Sequence, residues 1–315
     1  MKLLQVNNLA SMVGGTSNCA LSITKCFPDM QHHIHFIGFS NDEAEKAFAG
    51  HEVTCGQIKQ AHLDAADIVI FHNTGEQNFP QHLPSNLLSV FYQHSAARSL
   101  VSCAKRCDFH LSVSKFLSNK VGAGQVVYQP VESVDRIEDG RQKPRIIRYC
   151  TPNTAKWPEG VEKLYEAIAS EHRDAFRFLF VGCPESLKKR LFAACGDANF
   201  LPASPGAIQF LGASDILLYE GPEETYGRTI CEAQRSGCLP IVSNHGGFSE
   251  QIENGKTGFL FSSHSEVGGI LDDLKEMDSF EKFMVPLRQS GDTRGSRSSF
   301  RRNFLRTIKG EHAPH

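Results

Sequence analysis

The sequence carries no excess charge of either sign, since 33 lysines and arginines stand against 35 aspartates and glutamates in 315 residues. A chain of this composition has no overall attraction for polyanions, and we predict no nucleic-acid partner. The first residues, MKLLQVNNLA, hold one lysine and a short apolar run, so neither a signal peptide nor a transmembrane segment is predicted. We therefore expect a cytoplasmic protein, with any membrane contact peripheral and at the inner face.

Motifs for metals and redox cofactors are equally scarce. The ten cysteines include no Cys-x-x-Cys pair, and Cys103 and Cys107 have no histidine at zinc-site spacing, which favours reduced thiols. No Asp-x-Asp is present to hold a metal, and no Gly-x-Gly-x-x-Gly to hold a nicotinamide dinucleotide. Gly255-Lys256-Thr257 has the ending of a P-loop, but Glu250 stands where that motif needs glycine. The sequence therefore predicts no metal and no cofactor.

What the sequence does contain is an alternation of apolar strand runs and helical patterns. Strands are predicted at 2–6, 33–38, 68–71, 88–92, 109–113 and 125–128, with helices at 17–27, 42–49 and 115–121. After a charged stretch at 132–144 the pattern restarts, with strands at 145–150, 178–181, 216–219, 239–243 and 258–261 and helices at 161–168, 185–194, 228–236 and 266–277. Such alternation is typical of parallel, doubly wound α/β sheets.

Two such sheets indicate two domains. We place an N-terminal Rossmann-like domain at 1–135, a C-terminal Rossmann-like domain at 136–290 and a basic tail at 291–315. Because open parallel sheets bind ligands beyond the carboxyl ends of their strands, we expect the ligand in a central cleft between the two domains. The tail could contact anionic lipid or nucleic acid through its basic residues, but a frayed, solvated helix is the preferred interpretation: Arg294, Arg297, Arg301, Arg302, Arg306 and Lys309.

One stretch, residues 221–247, reads GPEETYGRTICEAQRSGCLPIVSNHGG and predicts a loop, a helix from Gly227 and a strand. The N–H groups at that helix start, roughly Gly227 to Ile230, are expected to point outward unpaired and to form an anion site. Glu224 and Glu232 bracket it with seven residues between them. Carboxylates there suit hydroxyls attached to the anion, so the implied ligand is a phosphate flanked by polyols, such as a nucleotide sugar. The alternative is two solvated charges, with Glu232 favoured by the helix dipole alone.

The longer stretch ETYGRTICEAQRSGCLPIVSNHGGFSEQIENGKTGFLF resembles the signature block of the retaining glycosyltransferases of family four, which have the GT-B fold. The resemblance assigns Glu224 to hydroxyls of the donor sugar and Glu232 to the nucleotide ribose. It also places the backbone of the donor-binding residues Tyr226, Gly227, Arg228 and Thr229 at the diphosphate or the sugar. Thr225 stands where the family often has glycine, which leaves the identity of the sugar open.

A pair of cations, Arg148 and Lys156, lies in the stretch RYCTPNTAKWPEG, where Arg148 closes a predicted strand and Lys156 follows in the loop. A leaving diphosphate needs positive charge, and fixed arginine and lysine side chains can supply it without a metal. The family's arginine and lysine fall at these positions, although Ile147 replaces its usual glycine. The alternative is a pair of solvated loop cations.

The N-terminal half supplies further candidates. Gly14 and Gly15 follow the first strand and resemble the family's glycine-rich loop near the phosphates and the acceptor, although a structural turn would need the same residues. His94, at the end of the strand at 88–92, resembles the family's active-site histidine beside the donor sugar. His72 is a weaker candidate for the same region, and we interpret His245 as structural.

Together these features predict a GT-B enzyme that transfers a sugar from a UDP or GDP sugar, with retention, to an acceptor hydroxyl on a glycan, a lipid-linked or a small molecule. The resemblance implies a front-face substitution in which the leaving phosphate, stabilised by Arg148, Lys156 and the helix start, takes the acceptor's proton. Three alternatives stay open: another GT-B enzyme such as an epimerase or a phosphorylase, a non-catalytic nucleotide-sugar-binding relative, and a lipid or nucleic-acid adaptor acting through the basic tail.

Overall fold

The computed structural model describes residues 1–8, 10–12, 14–137, 139–140, 142–153, 156–221, 223–275 and 277–311, with backbone alone at 277, 278, 288 and 290–293. The chain divides into two compact units. Unit 1 comprises Met1–Val131 and Gly295–His315, and unit 2 comprises Glu132–Arg294.

Unit 1 is built on a parallel sheet. Its strands are β1 (Lys2–Asn7), β2 (Gln31–Phe36), β3 (Glu52–Cys55), β4 (Ile68–His72), β5 (Leu88–Gln93), β6 (Phe109–Ser112) and β7 (Gln125–Val126). They pair in the order β3-β2-β1-β4-β5-β6-β7, so the order reverses between β1 and β4. The helices of this part are α1 (Gly15–Cys26), α2 (Asp42–Ala47), α3 (Gln60–Asp64), α4 (Leu100–Ala104) and α5 (Lys115–Val121).

Unit 2 repeats this design. Its strands are β8 (Arg145–Tyr149), β9 (Arg177–Val181), β10 (Ala198–Leu201), β11 (Ile216–Tyr219), β12 (Leu239–Ser243) and β13 (Phe259–Phe261). They are parallel in the order β10-β9-β8-β11-β12-β13. The helices are α6 (Val161–His172), α7 (Glu185–Cys195), α8 (Gln209–Gly212), α9 (Arg228–Arg235), α10 (His264–Asp272) and α11 (Glu281–Arg294). Two parallel-sheet α/β domains are thus confirmed.

Both faces of these sheets are covered, which explains the continuous apolar runs in the sequence. In β8, Ile146 belongs to one apolar cluster and its neighbour Ile147 to another. In β9 the same alternation separates Phe178 and Phe180 from Leu179. Since successive strand residues point to opposite faces, each face of the sheet has its own packed core.

Two strands escaped the sequence-based prediction, β3 and β10, and both are edge strands of their sheets. The sequences EVTC and ANFL contain no apolar run of the length seen in the central strands. The helix at 115–121 was predicted with its observed bounds.

The charged stretch that follows unit 1 is attached to unit 2. The division falls between Val131 and Glu132, four residues before the predicted boundary at 135. The Val134 N–H donates to Ser236 Oγ at 3.2 Å, and the Ile137 N–H donates to the Gly212 carbonyl at 2.9 Å. These backbone bonds to unit 2 explain the shift.

The prediction of a separate, solvated basic tail is wrong for residues 295–308. They form α12 (Arg297–Ile308), which packs against α1 in unit 1. Phe304 is fully buried, with its ring centroid 5.5 Å from that of Phe27. Arg301 donates to both carboxylate oxygens of Asp29, at 2.5 and 2.9 Å. Apolar residues at helical spacing outweigh the charge of this segment and dock it on the domain.

The part of the chain that the structure describes contains no helix both long and apolar enough to span a membrane.

Removing the Phe304 ring tests how firmly α12 is docked. Phe304→Ala leaves a cavity at a fully buried site, and we expect the free energy of unfolding to fall by about 3 kcal/mol. Arg302→Ala, on the exposed face of the same helix, is the control and should change it by less than about 0.5 kcal/mol. Urea unfolding of the full chain measures both, and equal effects would contradict the docking.

Acid should destabilise unit 1 through its buried histidines. Burial lowers the pKa of His33 to about 4 and that of His72 to about 3, because it penalises the charged imidazole. The unfolded chain takes up these protons near pH 6.5, so the stabilisation is complete above that pH and is lost as the pH falls towards 4. We expect His72 alone to reduce the unfolding free energy by about 2 kcal/mol between pH 6.5 and 5. Urea unfolding across this range measures it, and the exposed His82, changed to Gln, is the control.

Candidate functional site

The candidate site of unit 2 lies at the carboxyl ends of β8 and β11, where the strand order reverses. Lys156 follows β8 and Glu224 follows β11, and Lys156 Nζ forms an ion pair with Glu224 Oε1. The Tyr219 hydroxyl donates to the same oxygen at 3.4 Å. The side chains of the pair are 30% and 17% exposed, so a charged pair remains accessible to a ligand from solvent.

Two glycines hold the loop of Glu224 in place. The Gly247 N–H donates to the Glu224 carbonyl at 2.7 Å. A Cβ on Gly246, whose φ is +65°, would lie 2.6 Å from that carbonyl, and one on Gly247 would lie 2.5 Å from the carbonyl of Thr225. Because no side chain fits between these backbones, the Gly-Gly pair sets the position of the loop.

The start of α9 depends on a third glycine. Gly227 has φ +78° at the cap position, and a Cβ there would lie 2.6 Å from the ring of Phe248. The buried Gln251 donates from Nε2 to the carbonyl of Tyr226, and its nitrogen lies 3.3 Å from the Gly227 carbonyl. This amide fixes the turn that leads into the helix.

The predicted donor-binding residues differ in their access to solvent. Gly227, Arg228 and Thr229 are half-buried, whereas the side chain of Tyr226 is fully buried. The Ile230 N–H donates back to the Gly227 carbonyl at 3.1 Å, so the prediction that it points outward unpaired is wrong. The anion site that the sequence predicts therefore does not include the Ile230 N–H.

Glu232 lies one turn further along α9. It is 8% exposed, and its Oε1 is 3.3 Å from Nη2 of Arg228. Burial raises the pKa of this carboxyl, and the Arg228 guanidinium opposes the rise. A nearly enclosed carboxylate with one cation beside it is suited to accept a hydrogen bond from a ligand hydroxyl.

Arg148 is enclosed, contrary to the expectation that it reaches over the end of the strand. Its side chain has no exposed surface, and its Cζ lies 4.7 Å from the ring centroids of both Trp157 and Tyr219. Nη2 donates to the carbonyls of Lys156 and Glu220, each at 2.6 Å. Arg148 therefore joins the loop of Lys156 to the loop that leads to Glu224, and it presents no charge at the surface. Of the two predicted cations, Lys156 is the exposed one.

A cavity of about 260 Å³ lies in unit 2 directly after Lys156 in the chain. Trp157 and Pro184 line it, together with Glu162 and Arg190, whose Nη1 donates to Glu162 Oε1 at 2.7 Å. Glu162 Oε2 is buried and has no hydrogen-bond partner in the structure. The cavity thus offers an aromatic wall and a carboxylate oxygen that can accept a hydrogen bond.

In unit 1 the predicted histidines meet. His72 ends β4, and its Nδ1 lies 2.9 Å from Nε2 of His94, which follows β5. His72 is fully buried and His94 is 8% exposed. Gly14 caps α1 and Gly15 begins it, with Gly15 exposed. These residues follow β1, β4 and β5, which are neighbours in the sheet.

Several residues of these sites were missed from the sequence. Asn73 adopts φ +49° between the two strands and accepts a hydrogen bond from the His94 N–H at 2.7 Å. Tyr219 and Gln251 contact the Glu224 loop and the helix start, respectively. Only Asn73 carried a usable signal, since asparagine at a strand end favours the left-handed conformation. His245, interpreted as structural, binds the Gly221 carbonyl through Nε2 at 2.6 Å.

Part of the chain is similar to a known protein family. Residues 140–282 match the family model of the Glycosyl transferases group 1. The matched stretch contains Arg148, Lys156, Glu224 and Glu232.

Among curated proteins, the chain is 45% identical over 56 residues to the glycogen synthase of Pseudomonas fluorescens strain Pf0-1, a match that covers 18% of this chain and 12% of that enzyme. It is 32% identical over 107 residues to the glycogen synthase of Xanthomonas axonopodis pv. citri, covering 34% of this chain and 18% of that enzyme. The similarity is thus confined to a small part of these relatives.

Solved structures resemble the whole chain in fold. The Anabaena protein Alr3699/HepE, in complex with UDP and glucose, superposes with a TM-score of 0.76 at 15% identity, over 98% of this chain and 99% of that one. A glycosyltransferase from Rickettsia africae gives 0.73 at 18% identity, over 98% of both chains. The pneumococcal O-GlcNAc transferase GtfA gives 0.74 at 12% identity, over 99% of both chains. At these identities the likeness establishes the GT-B fold.

Arg148 should be needed for stability as well as for the site. Arg148→Ala removes two hydrogen bonds and leaves the carbonyls of Lys156 and Glu220 without this donor, so we expect a loss of about 3 kcal/mol in unfolding free energy. Arg177→Ala, at the exposed first position of β9, is the control. Urea unfolding compares the two variants. An unchanged stability of Arg148→Ala would contradict the role of its guanidinium in stabilising the two loops.

Proposed function

We propose that the protein is a retaining glycosyltransferase that uses a nucleoside diphosphate sugar of the UDP or GDP type and needs no metal. The observation that carries the proposal is the Lys156–Glu224 pair at the switch point of unit 2, three residues before the glycine-capped start of α9. It combines a cation and helix N–H groups, which suit a diphosphate, with a carboxylate, which suits sugar hydroxyls.

In the proposed complex, the diphosphate lies at residues 227–229 and takes the Lys156 ammonium as a partner, sharing it with Glu224. Glu224 then accepts a hydrogen bond from a hydroxyl of the donor sugar. Glu232, beside Arg228, accepts one from the ribose. Each role requires only groups that unit 2 provides on adjacent loops and one helix.

The transfer proposed for this site breaks the bond between the anomeric carbon and the phosphate oxygen. The acceptor hydroxyl attacks from the same face, which gives retention, and its proton moves to the departing phosphate. Lys156 and the helix start stabilise the charge that develops on that phosphate, and this is the main contribution of the protein. Arg148 acts through the loops it joins, because its guanidinium is enclosed.

The names of related proteins support a nucleotide sugar as the donor. The Anabaena structures contain UDP, UDP with glucose, or UDP-glucose. The relatives found by sequence are glycogen synthases. We propose UDP sugars as the first donors to test, with the acceptor a glycan, a lipid-linked or a small molecule.

A second candidate is nucleotide-sugar binding without transfer. The enclosure of Arg148 favours it, since one of the two cations expected at the leaving diphosphate does not reach the surface. Tight donor binding with no product from any acceptor would distinguish this candidate from the first.

Lys156→Ala should lower the transfer rate about 100-fold, since it removes charge from the leaving group. Lys256→Ala is the matched control, because Lys256 is 58% exposed and pairs with Glu253 on the surface.

Glu232→Gln should mainly weaken donor binding. Calorimetry with UDP-glucose and GDP-mannose and NMR of the product measure both effects. If neither sugar binds or raises the melting temperature at millimolar concentration, the proposal is wrong.

A further inference from the structure

We propose that Gln5 and His72 are positioning residues that hold His94 in a single tautomer, with its hydrogen on Nε2. Three contacts connect these side chains to helix α1. His94 Nε2 lies 2.9 Å from His72 Nδ1, His72 Nε2 lies 3.1 Å from Gln5 Oε1, and Gln5 Nε2 lies 3.1 Å from the carbonyl of Ala20. Gln5 and His72 have no exposed surface.

The direction of these three hydrogen bonds is set by the contact between Gln5 and the carbonyl of Ala20. The carbonyl of Ala20 can only accept, so the Gln5 group beside it must be the amide nitrogen. The Gln5 oxygen therefore faces His72, and because that oxygen also only accepts, His72 Nε2 must carry a hydrogen.

His72 transmits this constraint to His94. Complete enclosure disfavours its charged form, so the ring is neutral, and with hydrogen on Nε2 its Nδ1 is a bare acceptor. The neighbouring nitrogen at 2.9 Å, His94 Nε2, must then donate. All three hydrogen bonds point the same way, from His94 towards α1, which is the arrangement in which they reinforce one another.

The backbone holds His94 in the same place. Its N–H donates to Asn73 Oδ1 at 2.7 Å, and Asn73 is itself held in the left-handed region by Asn8 Nδ2, 2.6 Å from its carbonyl. The His94 ring lies against Tyr92, with centroids 4.7 Å apart. Since ring and backbone are both fixed, a change of tautomer cannot be compensated by a rotation of the side chain.

A metal ion is the alternative occupant of this cluster, because Cys19 Sγ and nitrogens of His72 and His94 all lie within 4.8 Å of one another. Two nitrogens on a tetrahedral zinc ion are separated by roughly 3.3 Å, given Zn–N bonds of about 2.05 Å. The observed 2.9 Å is shorter and is the length of an N–H···N hydrogen bond. The geometry therefore favours a shared proton over a metal.

The consequence for chemistry is that Nδ1 is the only nitrogen of His94 whose protonation can vary. In the neutral ring this buried nitrogen can accept a hydrogen bond and cannot donate one. Its relevance to sugar transfer rests on the proposed function, whereas the tautomer itself does not.

The test is a long-range ¹H–¹⁵N correlation spectrum of the full chain labelled in histidine, at pH 7.5. Each of the 14 histidines gives its own pattern, and His72→Gln and His94→Gln assign the two that matter. We expect both rings to be neutral with hydrogen on Nε2. In Gln5→Leu the acceptor for His72 is lost, and we expect a mixture of tautomers at both rings. Gln60→Leu, on the exposed α3, is the control and should leave the spectrum unchanged.

A His94 ring protonated on Nδ1 alone, or a pattern that Gln5→Leu does not alter, would overturn the proposal. So would stoichiometric zinc in the isolated protein with metal-bound nitrogens in the spectrum. If Gln5→Leu fails to fold, the tautomers of the unaltered chain still decide the matter. Absence of donor binding would defeat the proposed function and leave these spectra as they are. Where transfer is measurable, Gln5→Leu should lower kcat about tenfold with an unchanged donor KM.

Discussion

Parallel strands deliver all their carboxyl ends to one edge of a sheet, and this constraint organises both units of the protein. The interior of each sheet has to be apolar because helices cover both faces. Polar side chains can therefore collect only where the strands end. At the reversal of strand order the loops diverge and leave room, and there unit 2 gathers Lys156 and Glu224. In unit 1, His72 ends β4 at the reversal and meets His94, which follows the neighbouring β5.

In both units, the candidate site residues are held in position by a polar side chain that is fully buried beside them. Arg148 is enclosed by two aromatic rings and fixes two loops through their carbonyls, so its charge acts on position and not on a ligand directly. His72 has the same relation to His94. A hydrogen bond made in such an enclosed place has no water to replace it, which holds the groups it joins in one position.

Much of the fold could be predicted because the central strands are visible in the sequence as apolar runs between helical patterns. The edge strands β3 and β10 could not, since their sequences EVTC and ANFL contain no comparable apolar run. The C-terminal segment was misjudged because its arginines dominate the composition, whereas its fold depends on Phe300 and Phe304 against Phe27. Charge is easy to count in a sequence, but the partner that buries an aromatic ring lies far away in the chain.

The sequence by itself determined the alternation of strands and helices, the spacing of Glu224 and Glu232 around a glycine-capped helix, and the resemblance to a transferase family, because these are properties of neighbouring residues. Only the tertiary structure decided that Lys156 meets Glu224 across 68 positions, that Arg148 is enclosed, and that Gln5 reaches His94 through His72. The physical reason is that hydrogen bonding and burial depend on which distant side chains share a sheet edge. The register of the strands sets this, and no local pattern records it.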